Sequence, residues 1–376
     1  MRILIAPDSF KESLSAIEVA KAIKQGFSKV YPQANYDLLP LGDGGEGTLD
    51  SLTQALGLEK YQTKVTGPFG DRICVDYAMR DGLAIFEMAE IVGLASIPLE
   101  KRNPLLVSTR GVGELLVELV QKGANQFFIG IGGSASHDGG IGMAAGLGVK
   151  FYDREGQELE AIGANLGKIA DFSTEDMGLE LSTVQIDLIT DVDNLLCGPQ
   201  GATYVFAGQK GLDSTKFEQV DREMERFYQL VNPAILTLAG AGAGGGMAAG
   251  LVQFAGARIQ TGINFVLDQL DFDKRVAEAD LVIVGEGRMD AQSLAGKTPI
   301  GVARRTPIGI PVIAICGSLK DNLPDFPFEN ICAAFPIISE VDSLENTLKN
   351  AEKNLIRTSE QVARILQLGG QQKWNL

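Results

Sequence analysis

Short apolar runs rich in β-branched residues alternate with helix-patterned segments along the whole chain: "RILIA", "YDLLPL", "LAIFEM", "QFFIGI", "VKFYD", "VQIDLIT", "DLVIVG", "PVIAIC" and "ICAAF". Strands that alternate with helices define an α/β protein with mainly parallel strands. The first helix is the clearest. Ser15 followed by Glu18 makes a capping box, and Ala16, Ala20, Ile23, Phe27 and Val30 recur at helical spacing until Pro32 ends the run. At 376 residues the chain exceeds one ordinary domain of roughly 100–200 residues, so two domains are expected. Composition shifts at "KVTGPFG" and again near "DQLDFDKR" mark the boundaries. They predict a discontinuous domain of residues 1–66 and 271–376, with an α/β domain of residues 67–270 inserted.

Acidic residues stand just after several of these strands: Asp8 after "ILIA", Asp43 after "LLPL", Asp191 and Asp193 after "DLIT", and Glu286 after "DLVIVG". Ligands of open α/β sheets bind at the carboxyl ends of the strands, so these acids are expected to converge on one crevice. Each one alone could equally be a helix cap or a turn former.

Charge narrows the ligand. With 33 Lys plus Arg against 48 Asp plus Glu the net charge is -15, which repels nucleic-acid backbones and anionic lipid surfaces. Neither nucleic acid nor membrane is an expected partner. An anionic small molecule would need positive charge built into its site, from local lysines or arginines, from helix N-termini or from a carboxylate-held Mg²⁺. The four cysteines lack C-x-x-C spacing, and the apolar opening is cut short at Asp8, so a reducing, cytoplasmic setting is expected. One histidine, His137, leaves carboxylates, lysines and backbone amides to carry most of the chemistry.

Glycines cluster in "GDGGEGT", "GIGGSASHDGG", "GAGAGGG" and "GEGRMDAQSLAGKTP", where they permit positive φ and close backbone approach to a ligand, or simply tight turns and packing. Gly130, Gly132 and Ala135 fit the dinucleotide pattern G-x-G-x-x-A, with Asp153 ending the next strand, which keeps an NAD(P)-dependent dehydrogenase of a small hydroxy acid as an alternative. The segment that should form the following helix, "SHDGGIGMAAGLG", is poor in helix formers. "AQSLAGKT" approaches the phosphate-loop pattern but has Ala291 in place of the first glycine. Its Lys297 falls at a predicted helix start, where an ammonium and backbone N–H groups can meet phosphate oxygens.

Taken in order, the segments "APDSFKESLSA", "LGDGGEGT", "RNPL", "STRGVGEL", "IGIGGSASHDGGIGMAAGLG", "DVDNLLCGPQGATYVFAGQKG", "AGAGGGMAAG" and "GEGRMDAQSLAGKTPIGVA" resemble the bacterial type of ATP-dependent D-glycerate kinase. That family commonly has glycine where Glu12 stands, alanine for Gly42, threonine-asparagine for Ser136 and His137, and an aromatic residue for Arg110. Asparagine in relatives means that proton shuttling by His137 is not a family requirement. The resemblance implies two α/β domains, one a flavodoxin-like doubly wound parallel sheet built from both chain ends, with an active cleft between them.

It also implies phosphoryl transfer from ATP to D-glycerate, 2-phosphoglycerate being favoured over 3-phosphoglycerate, which calls for in-line positioning and charge neutralisation. Lys11 is the expected clamp on a carboxylate or phosphate, with Ser9 beside it. Asp8 and Asp43 are candidates to accept the hydroxyl proton, and Asp191 with Asp193 to hold Mg²⁺. Gly132, Gly133, Ser134, Gly244 and Gly245 are expected at phosphate oxygens, and Glu286, Arg288, Asp290 and Lys297 complete the site. A nucleotide sensor without turnover is a third reading, disfavoured by the number of positioned acids and lysines. These motifs specify no oligomeric state.

Overall fold

The computed structural model describes residues 1–42, 47–178, 181–261, 263–290, 293 and 297–371. The chain divides into two compact units. The first comprises Met1–Asp43, Asp50–Leu56 and Gly262–Leu376, and the second Gly44–Leu49 and Gly57–Thr261.

The first unit is built on five parallel strands, Arg2–Ile5, Asn35–Leu38, Leu281–Val284, Val312–Cys316 and Ile331–Pro336. Taken in chain order they lie second, first, third, fourth, fifth across the sheet, the flavodoxin-like arrangement. Side chains alternate faces along a strand, yet Ile3, Leu4 and Ile5 are all fully buried, as are Val282, Ile283 and Val284. Both faces of the sheet are therefore covered, which is why these strands read as unbroken apolar runs.

The helix Ala16–Ser28 follows its sequence signature. The Ser15 hydroxyl accepts from the Glu18 amide at 3.3 Å, and the Glu18 carboxylate accepts from the Ser15 amide at 2.8 Å. Val19, Ala20, Ile23 and Phe27 are buried in the first unit's core, each large side chain contributing about 1.5–3 kcal/mol. Gly26 is needed where this helix crosses the helix Ala351–Gln371, because a Cβ there would lie 2.4 Å from the Ile356 carbonyl oxygen.

The second unit carries a six-stranded mixed sheet. Glu59–Thr66, Arg72–Arg80 and Leu83–Glu87 form an antiparallel meander, continued by the parallel strands Gln126–Gly130, Gln185–Thr190 and Arg258–Thr261. The segment "KVTGPFG", read from composition as a domain boundary, contains a hairpin turn instead. Its Gly67 amide donates to the Asp71 carbonyl, and the flanking strands pair from Glu59↔Met79 to Thr66↔Arg72. Residues 57–66 thus go with the inserted unit, and residues 263–270 with the first. "VKFYD" also departs from the parallel pattern, since Lys150–Tyr152 pairs antiparallel with Asp171–Ser173 outside the main sheet. No helix among the described residues is long and apolar enough to cross a membrane.

Candidate active site

In the first unit, the strands Arg2–Ile5 and Leu281–Val284 are neighbours, first and third in chain order, so the winding of the sheet reverses between them. At that switch point their carboxyl ends leave a crevice. Here it is a cavity of about 450 Å³ whose lining includes Asp8, Lys11, Glu286, Arg288, Asp290 and Lys297. Local hydrogen bonds fix its floor: the Asp8 amide donates to the Gly285 carbonyl (2.8 Å), Gly317 to Glu286 (3.0 Å) and Ser318 to Gly287 (3.1 Å). Asp8 is buried, and its carboxylate accepts from the Ser9 amide at 2.6 Å and the Thr298 hydroxyl at 3.1 Å.

Lys11 is exposed on a tight turn in which the Phe10 amide donates to the Leu14 carbonyl and the Leu14 amide to the Phe10 carbonyl. Glu12, next in that turn, has φ of +65°, a left-handed conformation that favours glycine. This accounts for the glycine of the resembling family at that position. Arg288 pairs with Asp290 at 3.3 Å and keeps a well-exposed guanidinium edge. Lys297 is the N-cap residue of the helix Thr298–Arg305, placing its ammonium stem beside that helix's positive end. Cys316 is sealed beneath; burial and the nearby Glu286 push its thiol up to about 12, so it stays protonated.

The glycine loops of the second unit behave differently. A Cβ on Gly245 would sit 2.2 Å from the Ser136 carbonyl oxygen, and one on Gly250 would sit 2.7 Å from the Gly140 Cα. The segments 130–146 and 240–250 therefore interlock backbone to backbone, and Gly139 donates to the Gly245 carbonyl at 3.1 Å. Asp138, fully buried, organises the first segment by accepting from Thr109 Oγ1 (2.7 Å) and the amides of Thr109, Gly140 and Gly142.

His137 is 1% exposed; its Nε2 lies 2.9 Å from Thr203 Oγ1, and Nδ1 has no hydrogen-bond partner among the described residues. Burial, with Lys210 nearby, holds its pKa down to about 3, so it is a neutral interior side chain rather than a proton carrier at neutral pH. Lys210 is buried as well, donating to Ser134 Oγ and the Ser136 carbonyl, both at 2.8 Å. Burial pulls its ammonium down to about 7 against the opposing pull of Asp138.

The structure thus brings together Asp8, Ser9, Lys11, Glu286, Arg288, Asp290 and Lys297 around one cavity. Gly132, Gly133, Ser134, Gly244 and Gly245 belong to the second unit, Gly133 exposed and Gly245 buried in the loop contact. Asp191 and Asp193 are exposed beyond the strand Gln185–Thr190, also in the second unit. Asp43 lies outside the described residues. Among the described residues no three acidic, histidine or cysteine side chains form a metal cluster.

Sequence reasoning missed Lys210, Asp138 and Thr298. Lys210 stands in the quoted "AGQKG", but nothing in one dimension separates a sealed lysine from a solvated one. The dinucleotide pattern at Gly130, Gly132 and Ala135 fails on geometry. The next helix, Ile141–Gly146, starts well beyond those glycines and has six residues, so they do not sit at a helix N-terminus that could hold a pyrophosphate.

A doubly wound sheet with carboxylates, lysines and an arginine at its switch point defines an α/β protein with a charged ligand crevice. The comparisons with known proteins make this specific. Residues 3–367 match the model of the glycerate kinase family. The chain is 54% identical to a glycerate kinase of Neisseria meningitidis serogroup B, covering 98% of this chain and 99% of that one. It is 39% identical to a glycerate 2-kinase of Escherichia coli K12, over 98% and 99% of the two chains. A crystal structure of a putative glycerate kinase 2 from Salmonella typhimurium LT2 superposes with a TM-score of 0.86 at 41% identity, covering 99% of this chain and all of that one. The chain belongs to the glycerate kinase family, and the enzyme is a kinase. The dehydrogenase alternative finds no support in these relatives.

Proposed function

We propose that the enzyme transfers the γ-phosphoryl group of ATP to the 2-hydroxyl of D-glycerate, with Mg²⁺, giving 2-phosphoglycerate and ADP. The observation that carries this reading is the cluster of Asp8, Lys11, Arg288 and Lys297 around one switch-point cavity. Phosphoryl transfer asks little covalent chemistry of a protein. It asks for cations at the phosphate oxygens, and Lys11, Arg288 and Lys297 supply them within a chain of net charge -15.

Asp8 is suited to accept the hydroxyl proton as the glycerate oxygen attacks phosphorus and the bond to the ADP oxygen breaks, because its carboxylate is already aligned by Ser9 and Thr298. Asp43 is a second acid for this role by sequence. The backbone around Gly132, Gly133 and Ser134, held by Lys210, is assigned to anionic oxygens of the reactants, as is Gly244, whereas Gly245 is taken up by its contact with Ser136. Asp191 and Asp193 would hold Mg²⁺, which supplies neutralisation of the transferring phosphates when bound. Preference for the 2-hydroxyl is supported by likeness to the Escherichia coli relative named glycerate 2-kinase.

The test is to incubate the enzyme with Mg·ATP and D-glycerate, then add enolase without phosphoglycerate mutase. Direct appearance of phosphoenolpyruvate is the expected result. ADP release without it would move the product to the 3-position, and no glycerate-dependent ADP release would overturn the kinase reading altogether.

A further inference from the structure

Phosphoryl chemistry leaves part of the switch-point cavity's lining unused: beside its charged residues the cavity is lined by the aliphatic and aromatic side chains of Phe10, Ile337, Ile338, Leu344, Leu348 and Ala351. Phe10, Ile337 and Ala351 are packed into the first unit's core and make this wall rigid. Ile338 and Leu344 are not core residues. They are 45% and 71% exposed, apolar side chains in the lining of a cavity. Ser13 fixes this wall to the charged residues, since its hydroxyl donates to the Leu348 carbonyl at 3.0 Å, tying the Lys11 turn to the helix Leu344–Lys349.

The occupant must match this division. A three-carbon hydroxy acid is polar at every carbon and would leave its oxygens unpaired against isoleucine and leucine, at a cost of about 1–3 kcal/mol for each buried polar group. It is also far smaller than a cavity of about 450 Å³. A nucleotide joins a flat, weakly polar ring to a polyanion, which is the same division of character along one molecule, and the volume is that of an ordinary cofactor or ligand pocket. We propose that the aliphatic wall formed by Ile337, Ile338, Leu344 and Leu348 seats the base of the nucleoside triphosphate, with its phosphates toward Lys11, Arg288 and Lys297. This assigns the nucleotide to the first unit, and it rests on the kinase reading for the identity of the ligand.

The experiment separates base from phosphate. Calorimetric titrations of the full-length protein with ATP and, separately, with inorganic tripolyphosphate are compared for the wild type and an Ile338→Ser/Leu344→Ser double variant. Both side chains are exposed, so the variant should melt with the wild type, and a melting scan checks this. The expected result is ATP binding weakened by ~10-fold or more with tripolyphosphate binding changed by less than ~2-fold. Equal weakening of both, or no change in either, would overturn the assignment. Should the double variant fold poorly, Leu344→Ser alone carries the same comparison. The kinase reading falls separately, through absence of glycerate-dependent ADP release by the wild type, a result that leaves the titrations interpretable.

Discussion

The two loop-rich regions of this chain use the same kinds of residue to opposite ends. At the switch point of the first unit, lysine and arginine side chains surround an open cavity, and Lys11 is exposed. In the glycine loops of the second unit the lysine is sealed, Lys210 being 4% exposed, and Gly245, Gly246 and Gly250 are spent on backbone-to-backbone contact. Glycine itself does not separate the two regions, since a Cβ on Gly285 or Gly317 beside the cavity would also strike backbone, 2.3 Å from the Ile315 carbonyl oxygen and 2.2 Å from the Gly287 carbonyl oxygen; what separates them is whether the neighbouring lysine is exposed or sealed.

This contrast can be broken by substitution, and the largest effect is expected in the packed loops. Gly245→Ala should destabilise the protein by about 4 kcal/mol, because φ is +72° and the added methyl meets the Ser136 carbonyl at 2.2 Å. Denaturant unfolding reads this directly; a change below about 1 kcal/mol would mean that the loops are not interlocked as described.

The next effect is acid lability at His137. Its folded pKa lies near 3, below the unfolded 6.5, so between those values the unfolded chain binds a proton that the folded chain refuses. Stability is complete above 6.5 and falls with pH, by about 3 kcal/mol at pH 4 for this group. His137→Asn removes the term, so the difference in stability between variant and wild type should grow as pH falls through that window. The same variant should keep most activity at neutral pH; a loss of a thousandfold would show that His137 takes part in the chemistry.

The smallest effect belongs to Glu12. Glu12→Gly relieves a left-handed backbone and should raise stability by about 1 kcal/mol, read as a higher melting temperature. Destabilisation instead would show that the Glu12 side chain contributes an interaction exceeding the strain.

Much of this was legible in one dimension. Strands such as "RILI" and "LVIV" are buried on both faces, so their character is written in consecutive residues. The strand Glu59–Thr66 was not, because it lies at the sheet edge with most of its residues exposed and reads as polar chain. Asp8 and Glu286 were legible as neighbours because both directly follow strands, and strand ends are where an α/β sheet gathers its ligands. The aliphatic wall was not, since Ile337, Leu344 and Leu348 look like ordinary core-facing positions until the fold places a cavity beside them. Arg110 proved to be a surface residue, its Nε 3.2 Å from Glu114 one helical turn on.

Lys11 tests most directly whether the open, charged cavity serves the reaction. Lys11→Met should melt with the wild type, because the side chain is exposed, while kcat/KM for ATP-dependent glycerate phosphorylation falls by about 10²–10⁴-fold. Full activity in a folded Lys11→Met protein would contradict the placement of the site.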